Sequence, residues 1–517
     1  MIGRATPDEV GKAASVEPDE EQPSLPETTP ERPTWRARLS ELRRYSWLWP
    51  WLGFGWMVGV LLVGLPLVAR IAGEPLLGEA YRTFWSEDFV RAAGLTYAVV
   101  LVPSLLTWLL RRDLALPIGL VAALAVLLTV GDSTGSLPAV AIVGTQTLVA
   151  WFVGLGLVSL VIRPGTAGVS LLARTVIAFA AGNGTLGLAY LGLGSFGFLG
   201  DTSIVLLSVG LVIASAAILL VRGRRALRLP DLYAPSLLET LLIAGALAFA
   251  TWALLHAYVP EVLSDSVRHH LPITREIWQT GSVPEFVWWT SWYPIHAQLV
   301  TVPAWAVGGM AGVSLSHGVV GMAAALGAAA LAEPLAGRRA AAVAFTAFVS
   351  LPLVLWELGH SYVDLYPALF VVTGAVAVVL WQRLGPMRSL VLAGFRAGLA
   401  FASKTPAAPG AGALGVAVLL VGRERFSVRS RLGAGVAVVA GGLIIAPWLW
   451  RSYQITGQFP GLDLLLSTVL GTERETSVDL AAFGLGRGPL DLAAIPWALT
   501  FQGELFGQNG AGALGLL

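Results

Sequence analysis

Apolar runs about as long as a bilayer is thick recur through most of this 517-residue chain. A helix needs about 20 such residues to cross. Inside lipid every backbone N–H and C=O has to be satisfied within the segment or in a closed barrel. The runs are continuous rather than alternating, which argues against a β-barrel. The chain is 56% hydrophobic and 13% charged, with a mean hydropathy of +0.72. Ordinary soluble domains carry roughly 25% charge. The expected fold class is all-α, a polytopic integral membrane protein with about 13 transmembrane helices. A formal net charge of +1 gives no reason to expect nucleic acid as a partner. The absence of cysteine excludes disulfides, thiolate metal sites and thiol catalysis. The 19 tryptophans suit belts at the lipid headgroups.

Residues 1–45 are rich in Pro, Glu, Thr and Arg and have no apolar period. They are expected to form a disordered cytoplasmic tail without a cleavable signal peptide. Arg36, Arg38, Arg43 and Arg44 precede the first span, which places the tail inside. A first membrane region, 46–230, carries six spans near 47–69, 93–110, 115–131, 138–162, 170–192 and 203–221. The second, 231–517, opens with a span near 236–258. Arg111-Arg112, Arg163, and the set Arg222, Arg224, Arg225 and Arg228 then fall on the cytoplasmic side, so Asp265 emerges on the extracytoplasmic face of a cell membrane. If 296–313 crossed, Arg338-Arg339 would lie outside; with Pro303, Trp305 and Gly308-Gly309 inside it, this stretch reads as interfacial or re-entrant. Further spans follow near 315–335, 340–357, 365–382, 387–403, 407–421 and 432–450, which bring Asp364, Lys404 and Arg451 to the same face as Asp265. Residues 510–517 read as the opening of another span, so the chain is expected to be cut short at its C-terminus.

The densest chemistry lies in Ser264-Asp265-Ser266-Val267-Arg268-His269-His270-Leu271-Pro272. Lipid solvates no charge, so ionisable groups at the mouth of a span ask for a reason. If the segment is α-helical, His269 shares a face with Asp265, and a carboxylate beside imidazoles suits a general base. A solvated loop acid that caps a helix fits the same residues. Asp265 with the two histidines can also be read as a metal site, although adjacent histidines point to different sides of a helix. A divalent cation is possible on this reading and none is required. Asp364 ends a second acidic cluster, Glu357-Leu-Gly-His360-Ser-Tyr362-Val-Asp364. Lys404 and Arg451 stand at span ends, either snorkelling or facing a phosphate, for which Arg is well shaped. Arg268 and Arg275 add to that charge. The aromatic run from Phe286 to Tyr293 either stacks on sugar rings or anchors the loop at the headgroups.

At these residues the second region resembles the GT-C superfamily of membrane glycosyltransferases, in the branch of dolichyl-phosphate-mannose–protein mannosyltransferases and related bacterial enzymes. The shared pattern reads Asp265, His269, His270-Leu271-Pro272, Gly281-Ser-Val-Pro284 and Tyr293-Pro294. Later pieces are Tyr362-Val-Asp364, Gly398 to Lys404, Pro447-Trp-Leu-Trp-Arg451 with Thr456-Gly457 and Pro460, and Pro496-Trp497 with Phe506. His269 stands where that family has an aromatic and Ser452 where it has Asn. The resemblance covers about residues 236–517; the first six spans have no counterpart in it. It implies inverting transfer of a sugar from a polyprenyl-phosphate donor to a glycan, lipid or protein acceptor hydroxyl. Asp265 and Asp364 would be the catalytic carboxylates. His269, His270, Arg268, Lys404, Arg451 and Tyr293 would bind substrate, with no metal ligand among them. The competing class is a transporter or lipid-linked glycan flippase, which would set its charges along a central path.

The arginine alternation predicts that the 259–314 loop and residues 451–490 share one side, opposite the N-terminal tail. Single cysteines placed in this cysteine-free chain and treated with an impermeant maleimide test it. Positions in both outer stretches react from outside, and labelling of position 338 from outside would overturn the topology.

Overall fold

A computed structural model describes residues 87–162, 169–222, 234–263, 265–283, 293–384, 388–421, 427–457 and 459. The expected tail at 1–45, the span at 47–69, the aromatic run at 286–292 and the motifs beyond 460 lie outside the described residues. Among the described residues all regular structure is helical. Nine helices there are long and apolar enough to cross a membrane, as the continuous apolar runs require.

The first region contributes α1 (Glu87–Leu110), α2 (Ala115–Ser133), α3 (Leu137–Val161), α4 (Leu171–Ser195) and α5 (Asp201–Arg222). Small residues set how closely they pack. A Cβ on Gly154 would lie 1.7 Å from the Ala178 carbonyl oxygen, and one on Gly182 would lie 1.7 Å from that of Ala150. Ala150/Gly154 on α3 and Ala178/Gly182 on α4 are thus matched small-xxx-small pairs that bring two backbones into contact. Helix α6 (Leu237–Leu255) starts at a capping box: the Ser236 N–H donates to Glu239 Oε2 at 2.7 Å and the Glu239 N–H to Ser236 Oγ at 3.3 Å.

A π-helical turn, Ser266–His270, leads into the short amphipathic α7 (Leu271–Thr280). The stretch 296–313, expected to be interfacial or re-entrant, forms the start of α8 (His296–Ala336). At Gly309 the backbone takes φ 55°, ψ −143°, which favours glycine. Residues eight apart in a straight helix are about 12 Å apart. Here the chain doubles back, so that a Cβ on Gly312 would lie 2.2 Å from the Ala304 carbonyl oxygen. The half-helix 296–308 begins inside the bundle, with His296 buried against Phe370, and ends with Gly308 on Ala139 in the first turn of α3.

The expected span at 340–357 is two short helices, α9 (Arg338–Val349) and α10 (Pro352–Leu358), with Leu351 extended before the proline. Then come α11 (Leu365–Leu384), α12 (Arg388–Ser403), α13 (Ala408–Val421), α14 (Val428–Gly442) and α15 (Ala446–Thr456). Fully buried Arg396 fastens α12 to α4 by donating to the Ile177 carbonyl at 2.9 Å. Two ends emerge. At one, the α4–α5 turn pairs with the end of α7, Leu199 N–H to Gly281 O at 2.7 Å and Val283 N–H to Gly194 O at 2.9 Å. At the other, Arg338 meets Glu333 at 4.0 Å, and Arg388 donates to the Leu160 carbonyl at 3.4 Å.

The α3–α4 contact makes a direct prediction. Gly154→Val or Gly182→Val overpacks a backbone contact and costs about 1–3 kcal/mol, read as a lowered unfolding temperature in nanodiscs. Gly144→Ala, whose Cβ meets nothing within 4 Å, leaves it unchanged.

Candidate functional site

Two loops that emerge at the first of these ends are tied by one buried carboxylate. Glu261 follows α6, and its Oε1 accepts the N–H groups of Val262 and Leu263, both at 3.0 Å. Its Oε2 accepts the Ser361 N–H at 2.9 Å and lies 3.4 Å from His360 Nδ1. Burial alone would raise the Glu261 pKa; the His360, Ser361 and Leu263 donors outweigh it and hold the carboxyl at about 2.

His317, on the long arm of α8, backs the second loop. The Leu365 N–H donates to His317 Nε2 at 3.1 Å, so the ring proton sits on Nδ1, 3.1 Å from the Glu357 and 3.0 Å from the His360 carbonyl oxygen. The 3.8 Å approach of Glu357 Oε2 to Nε2 is therefore a carboxyl facing a lone pair, not an ion pair. Among the described residues Oε2 has no hydrogen-bond partner.

The expected α-helical register at Asp265 is replaced by the π-turn. The Leu271 N–H reaches back five residues to the Ser266 carbonyl, and such widened turns recur at functional sites. His270 closes this turn. Its Nδ1 lies 3.0 Å from Gln298 Nε2 on the half-helix, and its ring is 6.0 Å from that of Tyr362. An amide nitrogen donates, so Nδ1 accepts and the proton sits on Nε2. Burial first, then the Lys404 cation, lowers the His270 pKa to about 3. His270 is thus a neutral donor rather than a base. His269 is half-buried and Arg268 exposed.

Asp364 and Lys404 pair directly, Nζ to Oδ1 at 2.5 Å, with each side chain about a third exposed. The extended backbone at Lys404, between α12 and a 3₁₀ turn over Thr405–Ala407, carries the ammonium out of the helix end. Asp265 is exposed, and among the described residues its carboxylate has no hydrogen-bond or ion-pair partner. It lies close enough to Tyr362 to act on it: burial first, then Asp265, raises the tyrosine pKa. Asp265, His270, Asp364 and Lys404 are therefore neighbours. Arg451 stands half-buried on α15, about one turn past Trp448, which packs into the same core as Leu399, Ala400 and Ala402 near the Lys404 end of α12. Tyr293 is half-buried just before the half-helix.

Glu261, Gln298 and His317 were not singled out from sequence. His317 and Gln298 carried a usable signal, since polar side chains in an apolar run face other protein groups. No group of three or more His, Asp or Glu side chains among the described residues is placed to hold a metal ion. Compared with known protein families, curated proteins and solved structures, the chain has no significant match in any of the three.

The two pKa shifts act in different pH windows. With His270 held at about 3, the unfolded chain binds its proton from about pH 6.5 downward while the folded chain does not, so stability falls as pH falls through that window. The Glu261 contribution, with a folded pKa of about 2, is complete above about 4.3 and is lost below it. His270→Gln should flatten the unfolding temperature between about pH 6.5 and 5, and Glu261→Gln should lower it at every pH in that range. An unchanged slope in His270→Gln would place that imidazole in water.

Proposed function

We propose that this chain is a membrane glycosyltransferase of the GT-C type, moving a sugar from a polyprenyl-phosphate donor to an acceptor hydroxyl on the extracytoplasmic face of the cell membrane. The second region carries the chemistry, and the full set of about 13 spans belongs to this reading. The observation behind it is the gathering of Asp265, His270, Asp364 and Lys404 at one end of the helices. Three arginines, Arg338, Arg383 and Arg388, lie at the opposite end.

The acceptor hydroxyl gives its proton to the exposed Asp265 carboxylate as its oxygen bonds to the anomeric carbon. The bond from that carbon to the phosphate oxygen breaks on the opposite face, which inverts the centre. The electron pair stays on the phosphate. Lys404 gives one N–H to Asp364, leaving two of its three donors for that phosphate, and Arg451 adds charge from α15. Preorganised cations stabilise charge where it grows. Asp364 acts here as the residue that positions Lys404. His270 donates Nε2–H, while His269, Arg268 and Tyr293 border the substrate side. A donor dissolved in the bilayer accounts for a site at a helix end.

A second reading, a transporter or lipid-linked glycan flippase, is favoured by the half-helix of α8. It starts inside the bundle with both His296 nitrogens lacking partners among the described residues, and broken helices of that kind bind ions in transporters.

Asp265→Asn keeps size and removes the proton acceptor, so sugar transfer from a labelled polyprenyl phosphate in membranes falls by about 10²–10⁴-fold with normal insertion. Lys404→Ala raises the apparent KM for donor, and Asp364→Asn does so less. Wild-type transfer by Asp265→Asn would remove the assignment. Donor translocation without transfer, in proteoliposomes, would select the second reading.

A further inference from the structure

Beside the ion-paired cluster, α7 and the turn of α8 enclose a cleft of about 320 Å³ that the reaction described above does not use. It is lined by Val267, Leu271 and Pro272 at the start of α7, by Trp305 and Met310 of α8, and by the polar side chains of Arg275, Glu276 and Gln279. Trp305 is half-buried and lines the cleft. Arg275, Glu276 and Gln279 have no side-chain partner among the described residues. Val267 is two residues past Asp265, so the cleft and that carboxylate belong to one segment at the same end of the helices.

The spacing follows from α7. Its inner face, Leu271, Ile273, Thr274 and Ile277, is buried, and Thr274 Oγ1 meets Thr301 Oγ1 of the half-helix at 3.4 Å. That contact fixes the separation of the two walls. Arg275 and Gln279, one turn apart, then project along the same side of the helix.

We propose that this cleft binds a short saccharide and holds it as the acceptor for the Asp265 carboxylate. The proposal rests on the glycosyltransferase reading for its purpose and adds the acceptor class to it. A sugar ring offers an apolar C–H face and an equator of hydroxyls. A tryptophan face suits the first. A guanidinium, a carboxylate and an amide, all planar and able to bond two hydroxyls each, suit the second. The volume lies at the low end of small-molecule sites, about 300–1,000 Å³, which suits a disaccharide rather than a longer glycan. A lipid chain is the weaker occupant, because it would desolvate three polar side chains without bonding any of them.

The test uses the full chain in nanodiscs, since maltoside detergents carry a competing sugar. Saturation-transfer NMR is run with maltose, cellobiose and α1,6-mannobiose as probes, and a doxyl-labelled fatty acid serves as the apolar probe. At least one disaccharide should give a saturable signal that Trp305→Ala abolishes and Trp305→Phe retains. Gln279→Leu, on the exposed side of α7, should weaken it by about fivefold, the loss of one hydrogen bond. No signal from any disaccharide, an equal signal in Trp305→Ala, or displacement of the signal by the fatty acid alone would overturn the proposal. A parallel transfer assay separates the two claims. Disaccharide binding without transfer from any lipid-linked donor would sink the enzymatic reading and leave the saccharide site standing. Transfer with an acceptor KM unchanged by both Trp305→Ala and Gln279→Leu would sink the site and leave the enzyme.

Discussion

The Glu261 carboxylate joins two loops a hundred residues apart in sequence, accepting the Ser361 N–H across that gap. At a helix end beside lipid, loop N–H groups have few partners, and an unpaired buried one costs about 1–3 kcal/mol. One side chain with two oxygens meets several of those demands at once. Because the second loop is held this way, Tyr362 reaches His270 and Asp364 reaches Lys404. The charged groups that attract functional interest thus depend on a carboxylate with no chemical part in the proposed reaction.

The charges sort into two kinds. Lys404 and Asp364 neutralise each other while remaining about a third exposed, so an incoming anion can share the ammonium without stranding a buried charge. His270 and His317 are neutral and each has a defined tautomer, set by Gln298 and by the Leu365 N–H. A neutral imidazole costs far less to bury than a charged one. The site therefore offers one ionised pair, one exposed carboxylate and two oriented imidazoles.

Much of this was legible in the residues. Continuous apolar runs gave the helical class, and the arginine alternation placed Asp265, Asp364 and Lys404 at one end, where the coordinates also group them. The break in the stretch after His296 was marked by Gly308-Gly309. The π-turn was not legible, because an extra residue in a turn leaves no mark in hydrophobic spacing. Gln298 and His317 stood out as polar residues in apolar runs, but such a residue does not disclose its partner. The break of 340–357 into α9 and α10 was marked only by Pro352.

The turn at Gly309 also bears on how the chain enters a membrane. As one straight rod the 41 residues of α8 would measure about 62 Å, twice the hydrocarbon thickness. Insertion machinery that sorts segments by length and apolarity meets a stretch it cannot accept as one unit. The first arm is too short to cross, and it carries His296 and Gln298 into the interior, where Gly187 and Gln146 sit against it. That arm is seated against α3 and α4. The helices before residue 230, which have no assigned chemistry, thus supply the surface on which this arm rests.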